Sequence, residues 1–302
     1  MRVFYSDPFV LPLPRGHRFP MEKYVLLRRR VEASGLVASG SLLLADAATE
    51  EELAMVHDVE YLRKVREGGL TPMEVRRMGF PWSPALVERS RRSVGAALGA
   101  AASALEDGVG VSLSGGTHHA FPDRGEGFCV FNDVAVASRV MQARSRADRV
   151  VILDLDVHQG NGTAAIFRDD STVFTLSVHG ANNYPFRKEP SDLDLELRDG
   201  AGDEAFLAAT EQGVERALEA GPFDLAFYLA GADPFRGDRL GRLAVSKEGL
   251  ERRDRVILEA CRDAGLPVAV VMSGGYASPI EDTVDIHFAT VRMATEMVPE
   301  RS

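Results

Sequence analysis

Val150-Val151-Ile152-Leu153-Asp154-Leu155-Asp156-Val157-His158-Gln159-Gly160-Asn161-Gly162 is the stretch on which the fold turns. Its first half, 150–155, is a largely apolar run without polar alternation, the pattern of a strand buried on both faces. Its second half gathers ionisable residues and glycine at the strand's carboxyl end. The same arrangement recurs three times. Residues 109–113 lead into Ser114-Gly115-Gly116-Thr117-His118-His119, 225–230 into Gly231-Ala232-Asp233, and 268–272 into Ser273-Gly274-Gly275-Tyr276. A fifth apolar run covers 173–178. Between these runs, helical periodicity marks 21–34, 84–105, 134–144, 203–220 and 247–264. The alternation predicts an α/β fold, a three-layer α/β/α single domain with a mainly parallel central sheet. Ligands of such sheets bind beyond the carboxyl ends of the strands, so the four polar groups are expected to converge. Gly95 and Gly99 form a GxxxG spacing in a segment too short to span a bilayer, and read as a close helix–sheet contact.

In an extended chain Asp154, Asp156 and His158 point one way. Two carboxylates and an imidazole crowded at a strand end need a cation to offset their repulsion and desolvation. One of the carboxylates, His158 and a carboxylate from another strand, Asp233 being the best candidate, would leave a coordination position open for water, as catalytic zinc sites do. His118-His119 follow a glycine pair, where the backbone can approach a ligand, and imidazole suits proton transfer near neutral pH. Tyr276 offers a phenol to a developing oxyanion.

The 302 residues are 45% hydrophobic and 26% charged with net charge -10, enough for a sizeable core. Two cysteines, Cys129 and Cys261, exclude a thiolate-rich zinc site or a disulfide framework and suit a reducing compartment. Asp7, Pro8, Pro12 and Pro14 interrupt the place where a signal peptide needs its apolar core, and no apolar run approaches a membrane span, so a cytoplasmic location without membrane attachment is expected. Acidic residues outnumber basic ones 45 to 35, which argues against nucleic acid and suits a positively charged partner better. Asn161-Gly162-Thr163 has the form of a glycosylation sequon but lies within the proposed metal stretch.

The motifs GGTHHAF (115–121), GFCVFND (127–133), DLDVHQGNGT (154–163), LSVHG (176–180), GADPF (231–235) and SGGY (273–276) stand in the order they have in the histone deacetylase superfamily, which the chain resembles from about residue 4 to 293. Gln159, Asn161 and LPLPRGHRFP near the start look most like its class IV branch and bacterial relatives. The resemblance implies an arginase/deacetylase fold and one Zn2+ per chain held by Asp156, His158 and Asp233. It implies His119 as general base and acid, His118 oriented by Asp154, and Tyr276 polarising the amide carbonyl. It implies a tunnel for an acyl-lysine stem lined by Gly127, Phe128, Tyr184 and Gly274, and a K+ or Na+ held by Asp154, Asp156, His158, Ser177 and Val178. Asn161 stands where many members carry an aspartate paired to the second histidine, so His119 should have a lower pKa than in those members. Gly79-Phe80-Pro81-Trp82 replaces a rim segment that in some members carries an aspartate gripping the substrate backbone. Cys129 reads as a wall residue rather than a nucleophile.

The implied activity is zinc-dependent hydrolysis of N-acylated lysine in a protein or peptide, or of a small acylated amine. Within the same chemistry the alternatives are a long-chain deacylase and an acetylpolyamine amidohydrolase. From other classes come a manganese ureohydrolase, which would need additional carboxylates, and a silent acyl-lysine binder, which would not need a general base.

Overall fold

The computed structural model describes residues 1–38 and 40–297. Eight strands form one sheet: β1 (Val3–Tyr5), β2 (Leu42–Leu44), β3 (Val109–Ser112), β4 (Val150–Asp154), β5 (Val173–Gly180), β6 (Leu193–Leu197), β7 (Leu225–Leu229) and β8 (Val268–Val271). Their order is β2-β1-β3-β8-β7-β4-β5-β6 and every pairing is parallel. Side chains alternate between two apolar cores. Val151 and Leu153 of β4 and Ala226 and Tyr228 of β7 enter one core, while Val150, Ile152, Leu225, Phe227 and Leu229 enter the other. Because both faces are buried, these strands read as continuous apolar runs.

The first core is covered by α1 (Glu22–Ser34), α8 (Asp203–Glu219), α9 (Lys247–Asp263) and α10 (Ile280–Glu296). The second lies under α2 (Glu50–Leu53), α3 (Val59–Glu67), α4 (Pro72–Met78), α5 (Pro84–Asp107), α6 (Asp133–Ala143) and α7 (Asn161–Phe167). Local chemistry starts the long helices where the sequence expects them. Ser83, Asn132 and Ser246 each accept a backbone N–H three residues on, and Pro84 occupies the first turn of α5. Gly99 lies against the Phe4 ring of β1, where an added Cβ would come within 2.6 Å of the ring, so the small-residue spacing does serve helix–sheet packing.

The strand order positions the site. The last two strands, β8 and β7, insert between β3 and β4, so the four strands ending in polar groups lie side by side as β3-β8-β7-β4. Behind them, Arg253 is completely buried with its partner Asp254. Its guanidinium donates to Asp254 Oδ1 and to the carbonyl of Gly231, while Tyr228 Oη and Thr290 Oγ1 donate to the same carboxylate. This network anchors the chain two residues before Asp233. No helix among the described residues is long and apolar enough to cross a membrane.

Candidate active site

β4 ends at Asp154, and the chain then bends, so the expected alternation through His158 does not continue as a strand. Asp154 turns to His118, whose Nδ1 lies 2.6 Å from Asp154 Oδ2. Asp156 and His158 instead meet Asp233 from the end of β7: His158 Nδ1 is 2.9 Å from Asp156 Oδ1 and 3.2 Å from Asp233 Oδ2. Of the carboxylates the sequence left open, Asp156 therefore joins the metal-type group and Asp154 does not.

The ligand atoms of Asp156, His158 and Asp233 all lie within 4.8 Å of one another, and all three residues are buried. Backbone and hydroxyl donors hold them. Gly274 N and Ser273 Oγ donate to Asp156 Oδ2, and Val157 N donates to Asp233 Oδ1. Asp233 Oδ2 is buried without a hydrogen-bond partner. A Cβ on Gly274 would fall 1.9 Å from that oxygen, so only glycine allows this approach. Burial alone would lower His158, yet the Asp156 and Asp233 carboxylates outweigh it and push the imidazole up to about 10. Burial and the Asp156 charge raise Asp233. Two carboxylates, one imidazole and an unsatisfied buried oxygen thus call for a positive charge at one point, and the donor set fits a divalent cation with N/O preference.

His118 and His119 stand beside this group with ring centroids 4.2 Å apart. Burial depresses His118, but Asp154 and then Asp156 overcome it and push it up to about 9. For His119, burial and the neighbouring imidazoles of His118 and His158 act together and hold it well below the ordinary histidine value. Its Nδ1 lies 2.6 Å from Asn161 Oδ1, so with the amide oxygen as acceptor the ring carries its proton on Nδ1 and a lone pair on Nε2. Asn161 Nδ2 donates to Glu126 Oε1, which fixes the amide orientation, and the Tyr184 hydroxyl donates to the same oxygen. His57 clamps the loop from behind, bonded to the Phe121 carbonyl and to Asn132 N.

A cavity of about 590 Å3 opens over these groups. Gly127, Phe128, Tyr184, Gly274 and Tyr276 line it, with His119 edge-on to Tyr184 at 5.0 Å. Asp154, Asn161 and Asp233 lie behind the wall. Burial holds the Tyr276 hydroxyl well above the usual phenol value, so it stays protonated and able to donate. Burial likewise raises the Cys129 thiol, which agrees with a wall role. Ser177 registers directly against Asp154 on β5, with Val178 following, which brings the residues expected around a monovalent cation together. Asn161 is buried, so its sequon has no accessible acceptor.

Four supporting residues escape sequence reasoning. Lys23, 2% exposed, donates to the carbonyls of Ser273 and Gly275 and lies 5.2 Å from the centre of the Tyr276 ring. Asp238 accepts from Tyr276 N at 2.6 Å, and Arg239 Nε donates to Tyr276 O at 2.9 Å. Glu126 supports Asn161. Asp238 and Arg239 closely follow GADPF and Glu126 immediately precedes GFCVFND, a proximity that could have flagged them. Nothing in the sequence links Lys23 to a loop some 250 positions away. Of the 79–82 segment, Gly79 lines the cavity, whereas Phe80 is buried and Trp82 Nε1 donates to the Val65 carbonyl. The arginines Arg18, Arg76, Arg77, Arg239 and Arg242 border the opening instead.

A parallel sheet between two helical layers, carrying an Asp-His-Asp group and paired histidines at its strand ends, is the three-layer α/β/α architecture of the arginase/deacetylase type. The chain belongs to the histone deacetylase family: the histone deacetylase domain model matches residues 17–291. It is similar to an uncharacterized protein of Picosynechococcus sp., 44% identical over 295 residues and covering 98% of both chains. It is also similar to a histone deacetylase-like amidohydrolase of Pseudomonas aeruginosa, 30% identical over 287 residues, covering 88% of this chain and 74% of the relative. The crystal structure of a histone deacetylase homologue from Aquifex aeolicus shares the fold with a TM-score of 0.82 at 23% identity, covering 98% of this chain and 83% of that one. The family and its relatives make the chain a hydrolase of the deacetylase/amidohydrolase kind.

Proposed function

We propose that the chain is one catalytic domain that hydrolyses the amide of N-acylated lysine, most simply acetyl-lysine, with Zn2+ held by Asp156, His158 and Asp233. The observation that carries this reading is the meeting of the Asp-His-Asp group with a neutral His119 whose Nδ1 is engaged by Asn161. When bound, the cation would make a water acidic and polarise the acyl carbonyl. His119 Nε2 receives the proton of the attacking water and later gives it to the leaving amine. Its low pKa keeps it neutral at pH 7 and makes the imidazolium a strong acid for the second transfer. The Tyr276 hydroxyl donates to the carbonyl oxygen as negative charge grows there. Lys23, Asp238 and Arg239 hold that phenol in place through the backbone on either side of it. Asp154, Asp156, His158, Ser177 and Val178, adjoining across the ends of β4 and β5, would hold a monovalent cation.

The walls support a short acyl group. Beyond Gly115, Thr117 and Phe128 the adjoining cavity measures only about 40 Å3, the scale of a water or two rather than of a fatty chain. Polyamines are disfavoured by the arginines at the opening, which repel a polycation. Zinc-loaded protein should therefore give its highest kcat/KM with an acetyl-lysine peptide, below it a myristoyl-lysine peptide, and least with acetylputrescine. Faster turnover of the myristoyl peptide would contradict the short-acyl reading, and failure on all three would contradict the activity.

The neutral partner of His119 sets a pH limit. A carboxylate at 161 favours imidazolium, so Asn161→Asp should raise the His119 pKa and move the acidic limb of kcat/KM to higher pH, by about one unit. Below the new limb the base is protonated and activity falls. An unchanged profile in the variant would contradict this role for Asn161.

A further inference from the structure

The opening of the cavity carries charge opposite to that of the whole chain. Net charge is -10, yet Arg18, Arg76, Arg77, Arg239 and Arg242 border the cavity and Asp156, at its floor, is the only carboxylate lining it among the described residues. All five arginines are exposed and come from three segments: the approach to α1, the last turn of α4, and the 236–242 loop. They therefore reach the opening from separate parts of the chain, and two of those parts meet there, the Arg239 guanidinium donating to the Arg18 carbonyl.

Elsewhere the surface arginines mostly face carboxylates: Arg63 lies between Glu60 and Glu67, Arg92 against Glu88, and Arg139 against Asp170. At the opening this neutralisation is largely missing. Arg242 is 3.4 Å from Asp199, and Arg239 donates to the carbonyls of Tyr276 and Arg18. Arg18, Arg76 and Arg77 have no ion-pair partner among the described residues. The segment Gly79-Phe80-Pro81-Trp82 has no acidic residue and so brings no carboxylate to the opening either. Guanidinium groups left free around a low-dielectric cavity focus a positive field over a few ångströms and match carboxylates in a bidentate fashion. The remaining surface is acidic and repels extended polyanions, so the cluster selects a compact anion presented at the opening.

We infer that the preferred substrate is an N-acylated amine carrying carboxylate on the portion left outside the tunnel. This rests on the reading that the tunnel receives an acylated amine. The carboxylate could come from acidic residues flanking an acetyl-lysine in a peptide, or from the α-carboxylate of free Nε-acetyl-lysine.

The test uses zinc-loaded protein and three acetyl-lysine peptides identical except for flanking Glu, Gln or Lys residues. The Glu peptide should exceed the Gln peptide in kcat/KM by about tenfold, with the Lys peptide lowest. The differences should shrink as salt rises from roughly 0.05 to 0.5 M. The double variant Arg76→Gln/Arg77→Gln should reduce the Glu-to-Gln ratio severalfold. Free Nε-acetyl-lysine compared with its amide distinguishes the sources: a preference for the free acid points to the α-carboxylate, and acidic-peptide preference without it points to the flanks. Anisotropy binding of the same labelled peptides provides a readout independent of turnover. Binding that follows the charge order without hydrolysis would support the anionic preference and contradict the hydrolase reading. Hydrolysis or binding with no charge order, or one favouring Lys flanks, would overturn the inference alone.

Discussion

Replacing His119 by alanine should lower kcat by roughly 10^3- to 10^4-fold while metal content stays at one per chain. His119 is the neutral imidazole beside the Asp156-His158-Asp233 group that can act in both proton transfers, and general acid–base catalysis accounts for rate factors of roughly 10^2 to 10^4. His118 cannot substitute readily. Asp154 and Asp156 push it up to about 9, so it holds a proton at neutral pH and its Nδ1 is committed to Asp154. Metal content is the necessary control, since His119 bonds to Asn161 rather than to the ligand group. Single-turnover kinetics with metal analysis of the same sample checks the outcome. A loss of less than tenfold would show that another group moves the proton.

Asp254→Ala should destabilise the fold by about 3–5 kcal/mol, the cost of leaving a buried charge without its partner. Arg253 and Asp254 are essentially inaccessible, and one carboxylate receives the guanidinium, the Tyr228 hydroxyl and the Thr290 hydroxyl. Removing it strands a cation and leaves two hydroxyls without their acceptor. Arg253 also donates to Gly231 O, so the loss should reach Asp233 as weaker metal affinity. The contrast is the double replacement Arg253→Met/Asp254→Leu, which removes both charges and should recover most of the lost stability. Urea unfolding midpoints measure both, and a single-variant loss below about 1 kcal/mol would contradict the role assigned to this pair.

The central part of this architecture is legible in sequence because double burial and function both leave strong marks there. Strands β3, β4, β5, β7 and β8 are apolar runs, and their polar endings announce the site. The edges are not legible in the same way. β1 and β2 have three residues each, too few for a period, and β6 (Leu-Asp-Leu-Glu-Leu) alternates as a half-exposed strand does. α10 is rich in Thr, Val and Ile, which weaken a helical signal, and it is held by packing on α1 and α9. In the site, the ligand group and the histidine pair follow from residue type and position. What escapes is support across long separations, Lys23 under Tyr276 and Glu126 behind Asn161, because their meaning depends on which loops the sheet order brings together. Net charge also misleads locally: a sum over 302 residues is acidic while the cavity opening is basic.

Asp156, His158 and Asp233 are proposed to hold the metal that the hydrolase needs. Metal-stripped protein titrated with Zn2+, followed at once by bound metal and by acetyl-lysine peptide hydrolysis, tests this assignment most directly. Activity should rise linearly and saturate at one equivalent, and Asp233→Ala should bind no zinc tightly and stay inactive. Full hydrolysis by metal-stripped protein, or tight stoichiometric zinc binding by Asp233→Ala, would contradict this metal assignment.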